Sequence, residues 1–186
     1  MRWERACLAG ADEAELWPEL RGGRGSSTWP AEIVAVYPHV SSVPGELWRR
    51  LVGSSVRDLG VLTGGGRCLA GEGGLATLLG SRAAAGVRER VLLPDAGGAE
   101  GDVRQVLRAL RPLPGVAGAE VRLYRVVSYN SMLLADQDIV VGHRIHGLPA
   151  SEWPVLHLRD GSGELSAGYR ESFESVWESA LPYGAE

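Results

Sequence analysis

From Trp29 onward, short β-rich runs alternate with helical stretches, and that alternation restricts the chain to a layered βαβ-type fold. Ile33-Val34-Ala35-Val36-Tyr37 reads as a buried strand ending at Pro38. A helix follows through Pro44 to Val52, with the proline tolerated because a first-turn N–H has no helical partner to lose. Val56 to Leu62 is a second strand, running into a Thr63-Gly64-Gly65-Gly66 turn. Gly74 to Ala85 reads as a helix closed by Gly86, since glycine reaches the left-handed conformation that ends helices. Val87 to Leu93 is the third strand, stopped at Pro94-Asp95, and Gly101 to Leu110 a third helix, with Val103, Val106, Leu107 and Leu110 on one face.

The second half has a different rhythm. Ala119 to Val127, Ser131 to Ala135 and Ile139 to Arg144 are three closely spaced strands, the last two joined as a hairpin by Asp136-Gln137-Asp138. Pro154 to Leu158 is another strand, and Gly161-Ser162-Gly163 leads into a closing helix whose Tyr169, Phe173, Val176, Trp177 and Ala180 form an apolar stripe. The expected class is therefore α/β, a mixed sheet flanked by helices, over residues 29–186. Ahead of it, residues 1–28 read as an arm: one short helix within Ala6 to Leu20, then the glycine- and serine-rich linker from Arg21 to Ser27.

Composition narrows the functional classes. A net charge of −4 argues against a broad nucleic-acid surface. The longest apolar runs are far shorter than the roughly 20 residues of a membrane span, and charged residues interrupt the N-terminus where a signal peptide would need an apolar core. Cys7 and Cys68 form no metal-ligand pattern and, without an export signal, read as reduced thiols of a cytoplasmic protein. All 19 basic residues are arginine, which excludes any chemistry that needs a lysine as Schiff base, phosphate clamp or general base.

One segment, Tyr129-Asn130-Ser131-Met132-Leu133-Leu134-Ala135-Asp136 with Gly142-His143 downstream, has the spacing of the H-x-K-x4-D motif of phospholipase-D-like enzymes. Asp136 and Gly142 match, Tyr129 stands where the nucleophilic histidine would be, and Ser131 replaces the phosphate-binding lysine. The chain thus resembles one half of a phospholipase-D-like fold. More closely, it is similar to a family of actinobacterial domains of that fold found behind XRE-type helix-turn-helix domains in transcription regulators. Residues 31–38, 85–88, 91–95, 129–131, 154–159 and 169–177 carry this second resemblance. The arm is too short for a helix-turn-helix, so direct DNA binding is not carried over. A tyrosine with an ordinary pKa of about 10 is a poor nucleophile at neutral pH, and a serine brings no positive charge to a phosphoryl group. Such sites pair two motifs, and this chain has one, so an active form would need a homodimer.

The resemblance implies a non-catalytic ligand-binding or regulatory domain, with no cofactor or metal. Its ligand is expected to be a small polar or anionic molecule bound beyond the strand ends. The residues expected there are His39, Ser41, Tyr129, Asn130, Ser131, Asp136, His143, Arg144 and His146, with Arg144 as the cation. His143 and His146 lie three apart in an extended segment and face opposite ways, which argues against a shared metal. His157, in an apolar run, is expected to be a core histidine satisfied by backbone. The alternative is an enzyme rebuilt around Tyr129, Asn130 and the histidines, which requires a histidine within hydrogen-bond reach of Tyr129 or Ser131. A third reading, a protein-interaction module, would need exposed indoles at Trp3, Trp17 or Trp48.

Overall fold

A computed structural model describes residues 30–63, 75–95, 116–161 and 163–183. The expected N-terminal helix and linker, the Gly64–Gly66 turn, the Gly101–Leu110 helix and the indoles of Trp3 and Trp17 lie outside the described residues. Within them run β1 (Ile33–Tyr37), α1 (Gly45–Ser54), β2 (Asp58–Leu62), α2 (Leu75–Ala84), β3 (Arg88–Pro94), β4 (Ala119–Tyr124), β5 (Asn130–Ala135), β6 (Asp138–His143), β7 (Val155–Arg159), α3 (Glu164–Ser179) and β8 (Leu181–Pro182). Single 3-10 turns at Val40–Ser42 and Ala150–Glu152 cap the connections near β1 and β7.

The strands form one mixed sheet in the order β1-β7-β6-β5-β2-β3-β4-β8. β2, β3 and β4 are parallel, and α2 lies in the connection that returns the chain from β2 to β3. The other pairings are antiparallel. The β5–β6 hairpin is in register from Asn130 opposite His143 to Ala135 opposite Asp138. Its turn is the two residues Asp136-Gln137, with Asp136 at φ 52°, a left-handed conformation that aspartate tolerates better than most side chains.

Side chains alternate across the sheet into two cores. Val61, Val91, Leu93, Val121, Leu133 and Val140 pack with Leu47 and Leu51 of α1 and Leu79 of α2. On the other face Leu62, Leu92, Met132, Leu134, Val141 and Leu158 pack under α3, against Phe173 and Trp177. The apolar stripe of the closing helix is thus core packing, and burying Phe173 completely contributes about 2–3 kcal/mol. Gly60 makes this approach feasible, because a Cβ there would sit 2.9 Å from the Phe173 ring.

α3 crosses the sheet from β1 towards β4. At its first turn the Glu32 carboxylate accepts hydrogen bonds from the backbone N–H groups of Leu165 and Ser166, doing from 130 residues away what a local N-cap normally does. Gly163 has to be glycine for this, since a Cβ would overlap that carboxylate. The Ser166 bonds hold the Glu32 carboxyl below its ordinary pKa. Further along, Arg90 binds Glu174 with both guanidinium nitrogens and lies over the Phe173 ring at 5.0 Å, while Arg122 lies 4.3 Å from the Trp177 ring centre.

Candidate functional site

The register gathers most of the expected site residues at one end of the sheet. Leu62 is opposite Met132, Pro94 is beside Tyr124, Asn130 is opposite His143, and Tyr37 and Gly142 both pair with Val155. The C-terminal ends of β1 to β4 and β6 therefore share an edge with the start of β5. His39 and Ser41 follow β1 at this edge, three strands across from Tyr129, where His39 Nδ1 lies 3.0 Å from the Ser41 hydroxyl. Arg125, after β4, is held by Asp95 at 2.6 Å. Tyr124 donates to the Thr63 carbonyl at 3.0 Å, and burial pushes its phenol pKa up to about 12 against the opposing charge of Arg144.

Strand alternation then divides the hairpin between two faces. Tyr129 and Ser131 are in phase with Leu133 on the α1–α2 side, whereas Asn130 is in phase with Met132 and Leu134 on the α3 side. The Arg144 N–H donates to the Tyr129 carbonyl at 2.8 Å, extending the ladder by one pair and setting Arg144 directly across from Tyr129. Ser131 faces Gly142, where an added Cβ would lie 2.6 Å from its hydroxyl. Tyr129 is 68% exposed and Arg144 is exposed, and among the described residues no carboxylate pairs with that guanidinium. His146 is likewise exposed.

His143 belongs to the opposite face. Its Nε2 lies 2.7 Å from the Tyr169 hydroxyl of α3, and burial lowers its pKa against the pull of the Pro154 carbonyl. The same burial raises the pKa of Tyr169. Among the described residues no histidine hydrogen-bonds Tyr129 or Ser131, the contact a rebuilt enzyme site would need. Nor does any group of three His, Cys, Asp or Glu side chains converge as metal ligands there. Trp48, the indole of the protein-interaction reading that the structure describes, is half-buried against the α1–α2 core.

The structure separates Asp136 from the other expected site residues. It lies beyond the far end of β5, about 20 Å along the chain from Asn130. There its carboxylate accepts the N–H groups of Val56, Arg57 and Asp58 at 2.9, 3.0 and 3.0 Å. Burial would raise its pKa, but these three bonds outweigh it and hold the carboxyl below its ordinary value. At that same end His157, 2% exposed, binds the Asp138 carboxylate at 2.7 Å, so its partner is a side chain on the neighbouring strand and not the backbone. Arg170 joins Asp160 and the Asp136 carbonyl. Two concavities, of about 480 Å³ along α3 and about 330 Å³ beside Asp136, lie away from the Tyr129–Arg144 edge.

Tyr169, Tyr124 and Glu32 had no signal in the sequence as partners of this framework. Each meets its partner across more than 20 residues, where periodicity and spacing carry no information.

No family model matches the chain, and no curated protein matches its sequence. Solved structures do. TrmBL2, an archaeal chromatin protein that shows a novel mode of DNA binding, superposes with a TM-score of 0.60 at 17% identity. The match covers 98% of this chain, which spans 64% of the length of TrmBL2. NucT from Helicobacter pylori superposes with a TM-score of 0.56 at 13% identity, covering 80% of this chain and 98% of its own. Nuc from Salmonella typhimurium, a phospholipase D family member, gives 0.52 at 10%, with 74% and 89% covered.

The first of these matches overturns one expectation, that this chain does not contact nucleic acid directly, because a DNA-binding protein shares the fold over nearly the whole chain. Among the described residues, α3 carries Glu164, Glu171, Glu174 and Glu178 against Arg170, while at the open edge Arg125 is paired with Asp95 and Arg144 has no carboxylate partner. Among the described residues, too, no helix is long and apolar enough to cross a membrane. At these identities the likenesses concern the fold, and on that ground the chain has a phospholipase-D-like α/β fold built on a mixed sheet.

Proposed function

We propose that this chain is a non-catalytic regulatory domain that binds a phosphate-bearing anion, nucleic acid included, on the hairpin face carrying Tyr129, Ser131 and Arg144. The observation that carries the reading is the pairing of Arg144 with Tyr129 across the end of the β5–β6 ladder, with Arg144 exposed and, among the described residues, no carboxylate paired with its guanidinium. A positive charge thus stands beside the positions where the enzymes of this fold would carry the histidine and lysine that Tyr129 and Ser131 replace. A guanidinium recognises a phosphate through two parallel hydrogen bonds without activating a nucleophile, so binding survives where turnover does not. The DNA binding of TrmBL2 supports including nucleic acid in the class. A setting in transcription regulation belongs to the same proposal.

The test is to titrate the purified chain with inorganic phosphate, a mononucleotide and DNA, and to assay hydrolysis of a chromogenic phosphodiester. Binding that weakens about tenfold in Arg144→Ala, with no hydrolysis, is expected. Turnover of the phosphodiester, or an affinity that Arg144→Ala leaves unchanged, would overturn the reading.

A further inference from the structure

An anion alone does not explain this edge. Tyr129 is 68% exposed, and around it Val127 is 72%, Val126 47%, Ile145 44% and Leu148 41% exposed, a concentration of apolar surface in the two loops that leave β4 and β6. Free phosphate would use Arg144 and the hydroxyls and leave that surface wet. A duplex presents phosphates outward but keeps its bases stacked, so an aromatic ring reaches a base only by unstacking it. A single strand offers an anion and an apolar ring plane side by side, and proteins that bind one combine cations with exposed aromatic platforms. Tyr129 and Arg144 suit that arrangement: the Arg144 N–H donates to the Tyr129 carbonyl just beyond the ends of β5 and β6, so the two exposed residues are neighbours across the hairpin.

Resting on the reading of this face as a phosphate-binding surface, we infer that it takes nucleic acid through unpaired bases, one base stacking on the Tyr129 ring while Arg144 holds an adjacent phosphate. The phenol ring is the working part, and its hydroxyl is dispensable. Since both side chains are exposed and make no described side-chain hydrogen bond, replacing them leaves the fold intact, which circular dichroism and thermal melting check directly.

The experiment measures fluorescence anisotropy of a labelled single-stranded oligonucleotide and of the duplex of the same sequence, alongside a phosphate titration, for the full chain and its Tyr129→Phe, Tyr129→Ala and Arg144→Ala variants. The single strand is expected to bind more tightly than the duplex. Tyr129→Ala should weaken it about tenfold and erase the preference, whereas Tyr129→Phe stays within about twofold of the parent. Arg144→Ala should weaken the single strand and phosphate together. A duplex bound as tightly as the single strand, or equal effects of the Phe and Ala variants, overturns the base-stacking inference. If Arg144→Ala still weakens phosphate in that case, the broader reading stands; if Arg144→Ala changes nothing, both fall.

Discussion

At the end of the sheet that holds the β5–β6 turn, Asp136 gathers three backbone N–H groups, Asp138 binds His157 and Arg159, Arg170 binds Asp160, and Glu32 caps α3. At the opposite end Tyr129 and Arg144 meet through their backbones and leave their side chains in solvent. That end has its own held groups, His143 on Tyr169, Arg125 on Asp95 and Tyr124 on the Thr63 carbonyl, so the contrast is between the saturated turn end and the Tyr129–Arg144 pair. The difference teaches where to look for function on a scaffold whose catalytic residues are replaced: a polar group already saturated by the protein has little left for a ligand, so the exposed Tyr129–Arg144 pair is the informative one.

The anchoring end also contains a discordant group, and it offers the largest effect. Glu89 is fully buried at the start of β3, in phase with Val91 and Leu93, beside Leu59 and Ala119 and near Arg82 of α2, and neither carboxylate oxygen has a hydrogen-bond partner of good geometry. Burial pushes its pKa up to about 7, with the Ala83 backbone and the Arg82 charge pulling the other way. The folded state therefore keeps a proton that the unfolded chain gives up from about pH 4.5. Stability should fall as pH rises from there to about 7, by up to about 3 kcal/mol, and level off above. Glu89→Gln should flatten that slope in urea titrations across the same pH range; an unaltered slope would assign the titration to another group.

Asp136→Ala comes next. Removing the carboxylate leaves the N–H groups of Val56, Arg57 and Asp58 without their acceptor and a β-carbon without compensation at a left-handed position, a loss of about 2 kcal/mol by denaturant unfolding. Because the carboxyl is held below its ordinary pKa, that contribution is present above the unfolded range and lost as pH falls through the folded value. A smaller effect, about 1 kcal/mol, is expected of Tyr169→Phe, which deprives the half-buried His143 of its hydroxyl partner. Smallest are Tyr129→Ala and Arg144→Ala, which should shift stability by no more than about 0.5 kcal/mol. A loss of 2 kcal/mol at either would mean that the open end is part of the framework too, and the contrast between the ends would dissolve.

How much of this was legible beforehand follows from range. Local signals placed the elements: short apolar runs marked β1, β3 and β7, the turn at Asp136 marked the hairpin, and the spacing of Phe173 and Trp177 marked α3, but β1, read as a buried strand, is an edge strand with Val34 and Val36 exposed. The motif spacing also led to Tyr129 and Ser131, and the expectation of a site beyond the strand ends led to Arg144; the register brings the three together at the end of the hairpin. It misled at Asp136, because a match along the sequence says nothing about direction: six residues of extended chain carry Ala135 to the far end of the sheet from Asn130. The His157–Asp138 pair and the Glu32 cap depend on strand order and helix placement, which local pattern does not encode. The exclusion of nucleic acid rested on total charge and a short arm, neither of which reports that the fold is shared with a DNA-binding protein.

The contrast between the two ends is tested most directly by following backbone amide resonances of the isotopically labelled chain while a single-stranded oligonucleotide is added. Shifts should concentrate at Tyr129–Ser131 and His143–His146 and vanish in Arg144→Ala, with Asp136–Asp138 and His157 unmoved. Shifts centred on Asp136–Asp138, or a spectrum that the oligonucleotide leaves unchanged, would contradict it.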